Sequence, residues 1–416
     1  MRLSRLLALP LVAAAVAASH TGRPDVVLSA APAWDAKVDR WVLSTGGAGL
    51  TEFLVYLSEQ ADVSGAQALP AREEKGRFVT DALRATAART QGPLLALLTA
   101  RGVEHRAFWV ANMIWVRGDL ALVEELARRD DVAHVYANPT VRFHEPVEGE
   151  VMAMAPEAIE WGVARVRAPE VWAAGFTGQG VVIGGQDTGY DWDHPALQNK
   201  YRGWNGATAD HNYNWHDAIH SGGGSCGANA TQPCDDTNHG THTMGTMVGD
   251  DGGANQIGVA PGAKWIGCRN MDQGNGTPAT YTECFQWFIA PTNLANQNPD
   301  PTRAPHVINN SWGCPPSEGC NPLSLQTVVE NTRAAGIVVV VSAGNGGPAC
   351  STVNDPPAIY GASFSVGSTT ITAPPGTYAL PATATTLLGV IGLALIMGFV
   401  YAFLDAAYLG YLHRHR

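Results

Sequence analysis

Three short segments place polar side chains where a buried strand ends or where a helix begins. Asp187-Thr-Gly189 follows the apolar run 181–185, Asn238-His239-Gly240-Thr241-His242 opens an apolar helix, and Gly344-Asn345-Gly346 follows the apolar run 337–341. Open α/β sheets carry their functional groups at such positions. A carboxylate there can fix the orientation of an imidazole, and an amide on a glycine-flanked turn can donate a hydrogen bond to a developing oxyanion. The segments together predict an acid, a base and an oxyanion donor.

Each of these residues also has a purely structural interpretation. Alone, Asp187 would more often be a turn residue or a helix cap, and His239 would more often be a structural histidine at a helix start. The functional hypothesis therefore depends on all three segments occurring together and in this order.

The elements that must position these residues are short apolar strands separated by helices. Strands are predicted over 181–185, 264–268, 307–309 and 337–341, with a crossover helix over 323–335. The run 337–341 is apolar at every position, which is typical of a strand covered on both faces in a parallel sheet. Residues 158–372 are therefore predicted to form an α/β domain with a parallel sheet.

A smaller domain is predicted over residues 51–143. Its pattern gives a strand over 51–57, one or two helices over 76–100, a strand over 113–116, an amphipathic helix over 120–128 and a strand over 132–136. Strands and helices that alternate in so short a region predict a small α+β domain. Residues 144–157 contain Pro146, Pro156 and several acids, which indicates an exposed linker.

The three polar segments, in this order, resemble the signatures of the subtilase family of serine proteases. Gln256-Ile-Gly-Val-Ala-Pro-Gly-Ala263, Asn309-Asn-Ser-Trp-Gly313 and His194-Pro-Ala-Leu197 also fit that family. Glu160-Trp161 and Lys200-Tyr-Arg-Gly203 are most similar to its bacillopeptidase F branch. The resemblance covers about 158–370, and residues 51–143 resemble the inhibitory propeptide of the family.

The resemblance implies a role for each matching residue. Asp187 would orient His239, His239 would be the general base, and Asn345 would donate a hydrogen bond to the oxyanion. Ser311, Trp312 and Gly313 would pair with the substrate backbone and border the pocket for the residue before the cut. The partners implied are a polypeptide substrate and the propeptide as an intramolecular inhibitor. Calcium is common in the family, but the sequence assigns no calcium site and no other metal site.

The sequence departs from the family at the nucleophile. The family carries its serine in a Gly-Thr-Ser-Met segment at the start of a buried helix, and no such segment occurs in these 416 residues. Ser363, Ser365 and Ser368 are the last serines, and they fall in or near a predicted strand, where they are poorly placed to replace it. Without the nucleophile, acyl transfer is lost and only a small rate enhancement is expected.

Three functions therefore remain open on the sequence. The first is the inhibited, exported precursor of a serine endopeptidase. The second is a non-catalytic module that keeps the peptide-binding groove. The third is a truncated remnant that is anchored to the membrane.

The two ends of the sequence carry predicted targeting segments. Residues 1–18 combine Arg2 and Arg5 with an apolar run and small residues, which predicts a signal for export. Residues 387–404 are uncharged and reach the lower limit for spanning a bilayer, and the basic tail 413–416 follows them. We expect a secreted or extracytoplasmic protein that is anchored to the membrane or the cell wall through this tail. A buried helix, or a rearranged gene end, is the alternative.

The seven cysteines favour disulfides in an oxidising compartment. The pairs Cys226–Cys234 and Cys314–Cys320 would close short loops, and Cys268 could pair with Cys284, which would leave Cys350 free. Zinc is the competing interpretation, but the spacings are irregular and no Cys-x-x-Cys occurs.

The charge pattern argues against nucleic acid as a partner, because the net charge is −11 and no Lys/Arg-rich stripe occurs.

A metal cluster could form from His211, His216 and His220, with Asp210 and Asp217. In a segment this rich in Asn and Gly, we expect a solvated face instead.

Overall fold

The computed structural model describes residues 34–143, 159–253, 256–347 and 349–368. The predicted export signal at 1–18, the linker 144–157, the apolar run 387–404 and the basic tail 413–416 lie outside the described residues. The chain forms an α+β domain over 34–143 and an α/β domain over 159–368.

The N-terminal domain is a four-stranded antiparallel sheet with helices. Its strands, in the spatial order β2-β3-β1-β4, are β1 (Thr51–Leu57), β2 (Glu104–Phe108), β3 (Met113–Gly118) and β4 (Val132–Ala137). Its helices are α1 (Arg40–Thr45), α2 (Arg72–Thr90), α3 (Gly92–Ala100) and α4 (Leu120–Ala127). The predicted strands over 51–57, 113–116 and 132–136 agree with β1, β3 and β4.

Two features of this domain differ from the prediction. Strand β2 was not predicted, because its sequence Glu-His-Arg-Ala-Phe lacks an apolar alternation and its edge position does not require one. Helix α2 begins at Arg72 rather than at residue 76, since the Glu74 carboxylate accepts a hydrogen bond from the Ala71 N–H and satisfies a free donor there.

The second domain is built on the predicted parallel sheet. Its six strands lie in the order β13-β12-β11-β6-β8-β7, and every neighbouring pair is parallel. These strands are β6 (Val182–Asp187), β7 (Trp215–Asp217), β8 (Lys264–Arg269), β11 (Val307–Asn310), β12 (Val338–Ser342) and β13 (Ser363–Val366). The four strands predicted in this domain are thereby confirmed within one or two residues. The short strand β7, at the edge, was missed.

Helices cover this sheet, and three very short strands lie outside it. The helices are α5 (Trp161–Arg165), α6 (Ala168–Ala173), α7 (His239–Val248), α8 (Pro278–Ile289) and α9 (Gln326–Ala334). The short strands are β5 (Val141–Arg142), β9 (Met271–Asp272) and β10 (Asn275–Gly276), and they form a separate sheet in the order β5-β10-β9. The predicted crossover helix over 323–335 begins three residues later than expected, at Gln326.

Two glycines inside β6 allow the sheet to be covered closely on both faces. A Cβ at Gly184 would lie 2.7 Å from the Phe288 ring, and one at Gly185 would lie 2.3 Å from the Tyr190 hydroxyl. The central strand that ends in Asp187 can therefore carry no larger side chain at these positions, and α8 packs directly on it.

The N-terminal domain packs on helices α8 and α9 of the second domain. Leu54 and Tyr56 of β1 share one buried apolar cluster with Phe285 and Val328. Gln286 Oε1 accepts hydrogen bonds from the N–H groups of residues 109 and 110, at 2.6 and 3.2 Å. The two domains therefore meet through an apolar interface that also contains specific polar contacts.

The cysteine pairing agrees with the prediction. Disulfides join Cys226 to Cys234, Cys268 to Cys284 and Cys314 to Cys320, and Cys350 is free and exposed. Among the residues that the structure describes, no helix has both the length and the apolar character needed to cross a bilayer. The anchoring predicted for 387–404 stays a prediction.

The full chain should therefore contain one reactive thiol, at Cys350. Labelling with a maleimide under denaturing, non-reducing conditions is expected to give one modified cysteine per chain, and a Cys350→Ser variant should give none. Two or more labelled positions in the parent chain, or labelling that persists in the variant, would contradict this pairing.

Candidate active site

The structure brings Asp187 and His239 into direct contact. Asp187 is the last residue of β6 and His239 is the first residue of α7. His239 Nδ1 lies 2.6 Å from Asp187 Oδ1, and both side chains are buried. Asp187 Oδ1 also accepts a hydrogen bond from the Thr188 N–H at 2.8 Å. A carboxylate held in this way fixes which imidazole nitrogen carries the proton and how the ring is oriented.

Two glycines in the motifs make this contact possible. A Cβ at Gly240 would lie 2.0 Å from the Gly189 carbonyl oxygen, and a Cβ at Gly189, whose φ is +118°, would lie 1.8 Å from the Cys234 carbonyl oxygen. The end of β6 and the start of α7 therefore approach closely only because both motifs carry glycine after the functional residue.

A further carboxylate, which the sequence analysis did not single out, holds the two segments together. Asp235 Oδ1 accepts hydrogen bonds from the Thr188 hydroxyl at 2.8 Å and from the Asn238 N–H at 2.9 Å. Its Oδ2 accepts from the Thr241 N–H and hydroxyl at 2.8 and 2.6 Å. Burial raises the pKa of the Asp235 carboxyl, and the hydrogen bonds from Thr241 act in the opposite direction. The signal for this role in the sequence was the position of Asp235, an acidic residue four positions before His239.

The second histidine of the motif, His242, is a neutral neighbour. Burial, followed by the proximity of His239, lowers the pKa of His242 to about 3. Its imidazole is therefore uncharged at neutral pH and adds no positive charge beside His239.

The other predicted site residues lie at the same edge of the sheet. Ser311 directly follows β11, and Asn345 lies on an exposed turn after β12, where Gly344 has a φ of +84°. Strands β12, β11 and β6 are adjacent and parallel, so their carboxyl ends meet at one edge. Trp312 is buried and stacks on Tyr281 with ring centroids 3.7 Å apart, so its side chain is part of the packed interior at this edge.

A groove beside His239 is occupied by a strand of the chain itself. Strand β5 pairs antiparallel with β10, and the Phe143 N–H donates to the Gly274 carbonyl at 2.7 Å. The Arg142 N–H donates to Glu318 Oε2 at 2.9 Å. The ring of Phe143 lies 4.3 Å from the ring of His239, measured between centroids. Residues 141–143 therefore run as an extended segment along β10, with the ring of Phe143 against His239.

The wall of this groove was not predicted either. It is the hairpin of β9 and β10, whose two-residue strands are too short to show a periodic pattern. The buried guanidinium of Arg269 supports the hairpin, with ion pairs to Asp236 at 2.6 Å and to Asp272 at 3.5 Å. Asp236 lies three residues before His239, so one cation connects the groove wall with the segment that carries the base.

The last serines of the sequence lie away from the pair. Ser363 and Ser365 belong to β13, which is separated from β6 by β12 and β11. Three strand spacings of about 4.8 Å place β13 about 14 Å from the strand that ends in Asp187. Ser365 donates a hydrogen bond to the Ala358 carbonyl oxygen at 2.5 Å.

The histidine-rich segment is not a solvated face, and that prediction is wrong for His216 and Asp217, which are buried. His216 and His220 instead surround the carboxylate of Glu283 on α8, with Nε2–Oε1 distances of 2.9 Å for both. A long-range contact with residue 283 cannot be read from local composition. No group of His, Cys, Asp or Glu suited to a metal ion is found among the described residues.

A family model matches most of the second domain. A model described as the subtilase family matches residues 178–387, which are 210 of the 416 residues. The matched range includes Asp187, His239, Ser311 and Asn345.

Curated relatives of the chain include two proteases of Bacillus subtilis. Bacillopeptidase F of Bacillus subtilis (strain 168) is 37% identical over 321 residues, which cover 72% of this chain and 21% of that protein. Subtilisin E of the same organism is 28% identical over 257 residues, which cover 61% of this chain and 56% of that protein. The chain thus spans about a fifth of the first relative and just over half of the second.

Among solved structures, a serine-to-alanine mutant of the epidermin leader peptide processing serine protease from Staphylococcus aureus has a similar fold. Its TM-score is 0.51 at 14% identity, and the match covers 77% of this chain and 71% of that one. This likeness concerns the fold alone.

The role of Asp235 can be tested with Asp235→Asn. In either orientation of the new amide, its NH2 group faces N–H donors: that of Thr241, or those of Thr237 and Asn238. These donors lose their acceptor, and an orphaned buried donor costs about 1–3 kcal/mol. We expect the free energy of unfolding to fall by about that amount in denaturant titrations of the full chain. Asp251→Asn is the matched control: Asp251 is exposed and accepts a hydrogen bond from the nearby Gly253 N–H, so a change within about 0.5 kcal/mol is expected. Equal effects of the two substitutions would refute the role given to Asp235.

Proposed function

Because this chain belongs to the subtilase family of serine proteases, we propose that its α/β domain binds polypeptide chains as extended strands in the groove beside His239. One observation carries the proposal: the strand β5 lies in that groove, paired with β10, and its next residue, Phe143, packs on the His239 ring. Main-chain pairing of this kind gives affinity with little dependence on sequence. A polypeptide substrate would take the place of β5.

In this proposal each site residue has one role. Asp187 holds His239 with Nδ1 protonated, and His239 Nε2 accepts the proton of the attacking group. The Asn345 amide donates a hydrogen bond to the oxyanion that develops on the substrate carbonyl. Ser311 to Gly313 would pair with the substrate backbone and border the pocket for the residue before the cut. The reaction of the family is hydrolysis of a peptide bond through an acyl-enzyme.

The N-terminal domain is proposed to act as the inhibitor of this groove. Its apolar contact with α8 and α9 fixes it on the second domain, and its last residues occupy the place of a substrate. Removal of residues 34–143 would therefore be needed before another polypeptide could bind. The export predicted from residues 1–18 is supported by the three disulfides, since such bonds persist in oxidising compartments.

The alternative is a peptide-binding module without catalysis. The observation that favours it is chemical: the groove, the base and its carboxylate are assembled, but the Gly-Thr-Ser-Met segment of the family does not occur in the 416 residues. In that case the chain would bind polypeptides and would not form an acyl-enzyme.

Occupation of the groove predicts that Phe143 protects His239. The His239 side chain is 7% exposed, and Phe143→Ala would remove the ring that packs on it. We expect the rate of diethyl pyrocarbonate modification of His239, followed by mass spectrometry, to rise several-fold. Arg142→Ala is the control, because Arg142 bonds Glu318 through its main-chain N–H, which the substitution keeps. An unchanged rate in Phe143→Ala would exclude residues 141–143 from the groove.

A fluorophosphonate probe tests whether this chain carries a nucleophile of its own. The full chain and its Phe143→Ala variant should both remain unlabelled, because His239 and Asn345 can accept a proton and stabilise an oxyanion but supply no nucleophile. Testing the variant as well ensures that a blocked groove does not explain the result, and an active serine hydrolase in the same sample verifies the probe. Stoichiometric labelling that maps to Ser363, Ser365 or Ser368 would establish a substitute nucleophile and overturn the non-catalytic alternative.

A further inference from the structure

A single buried carboxylate joins three basic side chains where the two domains meet. Glu283, on α8, is 10% exposed. Its Oε2 lies 2.9 Å from Nη1 of Arg106, which belongs to β2 of the N-terminal domain. His216 and His220, from the second domain, each place Nε2 2.9 Å from Glu283 Oε1. None of these four residues takes part in the site beside His239.

The surrounding contacts fix each basic group in place. The Arg106 guanidinium lies over the Trp115 ring, 4.7 Å from its centroid, and the His216 ring lies nearly parallel to that of Trp287. The Nδ1 of His220 is 2.7 Å from Asn229 Oδ1, so both of its ring nitrogens face oxygen acceptors. Only the protonated imidazolium can donate to both at once.

Two further charged residues, Asp217 and Arg269, lie near the cluster around Glu283. Asp217 follows His216 in β7, and its carboxylate is turned towards the buried Arg269 at 3.6 Å and towards the N–H groups of Ile219 and Ala230. The carboxylate that faces the histidines and Arg106 is therefore that of Glu283.

We propose that docking of the N-terminal domain is linked to proton binding, because His216 and His220 compete with Arg106 for the carboxylate of Glu283. When His220 is neutral, Glu283 and Arg106 form an ion pair across the interface. A proton that His220 takes up adds a positive charge beside Arg106, and the excess charge repels the domain that carries Arg106. The inference rests on the proposed role of residues 34–143 as the occupant of the groove, and it names acid as the condition that releases them.

The direction of the pH effect on docking follows from the interactions that set the pKa of His220. Burial disfavours its charged form, but the hydrogen bond and charge of Glu283 outweigh burial and raise the pKa of His220, while the charge of Arg106 acts to lower it. When the domain leaves, Arg106 leaves with it, so the undocked state binds the proton more tightly. Docking must then weaken as pH falls through the titration of His220. Each unit by which docking lowers this pKa corresponds to about a tenfold change in the docking equilibrium.

Another histidine of the interface, His306, titrates in a lower range. Burial, and then the charge of Arg72 from the N-terminal domain, lower its pKa. Its contribution would therefore appear below that of His220 and can be separated from it by pH.

The test is hydrogen exchange of the full chain between pH 7.5 and 5.0, expressed as protection factors so that the intrinsic effect of pH is divided out. The amides of Arg142 and Phe143 report docking, because both donate to groups of the second domain. Ile308 in the centre of the sheet is the internal reference. We expect the protection of residues 142 and 143 to fall by about tenfold or more towards pH 5.0, with Ile308 unchanged.

Three variants decide the cause. His216→Gln with His220→Gln keeps an N–H donor towards Glu283 but cannot titrate, and its protection should be independent of pH within about twofold. Arg106→Gln should show lower protection at pH 7.5 and little further loss in acid. Gln286→Met removes a neutral contact of the same interface, and it should show lower protection with the same fold-change as the parent.

The outcomes distinguish this inference from the proposed function. Equal pH dependence in the parent and in the double histidine variant would overturn the proton linkage, even if docking at pH 7.5 is intact. Unprotected amides at residues 142 and 143 at pH 7.5 in the parent would instead refute the proposed occupation of the groove.

Discussion

The carboxylate of Asp235 receives five hydrogen bonds, from Thr188, Thr237, Asn238 and twice from Thr241. These bonds tie the residue after Asp187 to the first turn of α7, and they hold the 2.6 Å contact between Asp187 and His239. Asp235 follows Cys234, so a short disulfide loop delivers it to this position. The orientation of His239 thus depends on a second carboxylate, whose desolvation is offset by its hydrogen-bond donors.

The sheet topology and the buried guanidinium of Arg269 together form the groove beside Asp187 and His239. The adjacent parallel strands β12, β11 and β6 present the turn of Asn345, the segment 311–313 and Asp187 at one edge. The opposite wall, β9–β10, has too few residues to be stable alone. Arg269 therefore supports it through Asp236 and Asp272, in a setting where an unpaired partner would be costly. Strand β5, paired with β10, leads to Phe143 beside His239, and the same guanidinium supports both the hairpin and the segment before His239.

The contact between the two domains combines apolar area with a few directed polar groups. The apolar cluster that includes Tyr56, Phe285 and Val328 gives affinity, whereas Gln286 and Glu283 define how the N-terminal domain sits on α8. That orientation carries β5 across His239. Glu283 differs from the other contacts because its partners include two histidines, His216 and His220.

The sequence determined the local structure and the identity of the chemical groups. Apolar runs indicated the strands β6, β8, β11 and β12, and the motifs indicated Asp187, His239 and Asn345, because strand period and glycine requirements are local properties. The sequence did not predict the strands β2, β7, β9 and β10, because an edge strand or a two-residue strand needs no apolar pattern. Only the tertiary structure showed that Asp235, Arg269 and Glu283 are central. In the sequence, an Asp, Glu or Arg is most simply interpreted as an exposed charged residue. The roles of these three residues depend on partners that lie 33 to 177 residues away in the sequence, and only the folded chain brings those partners together.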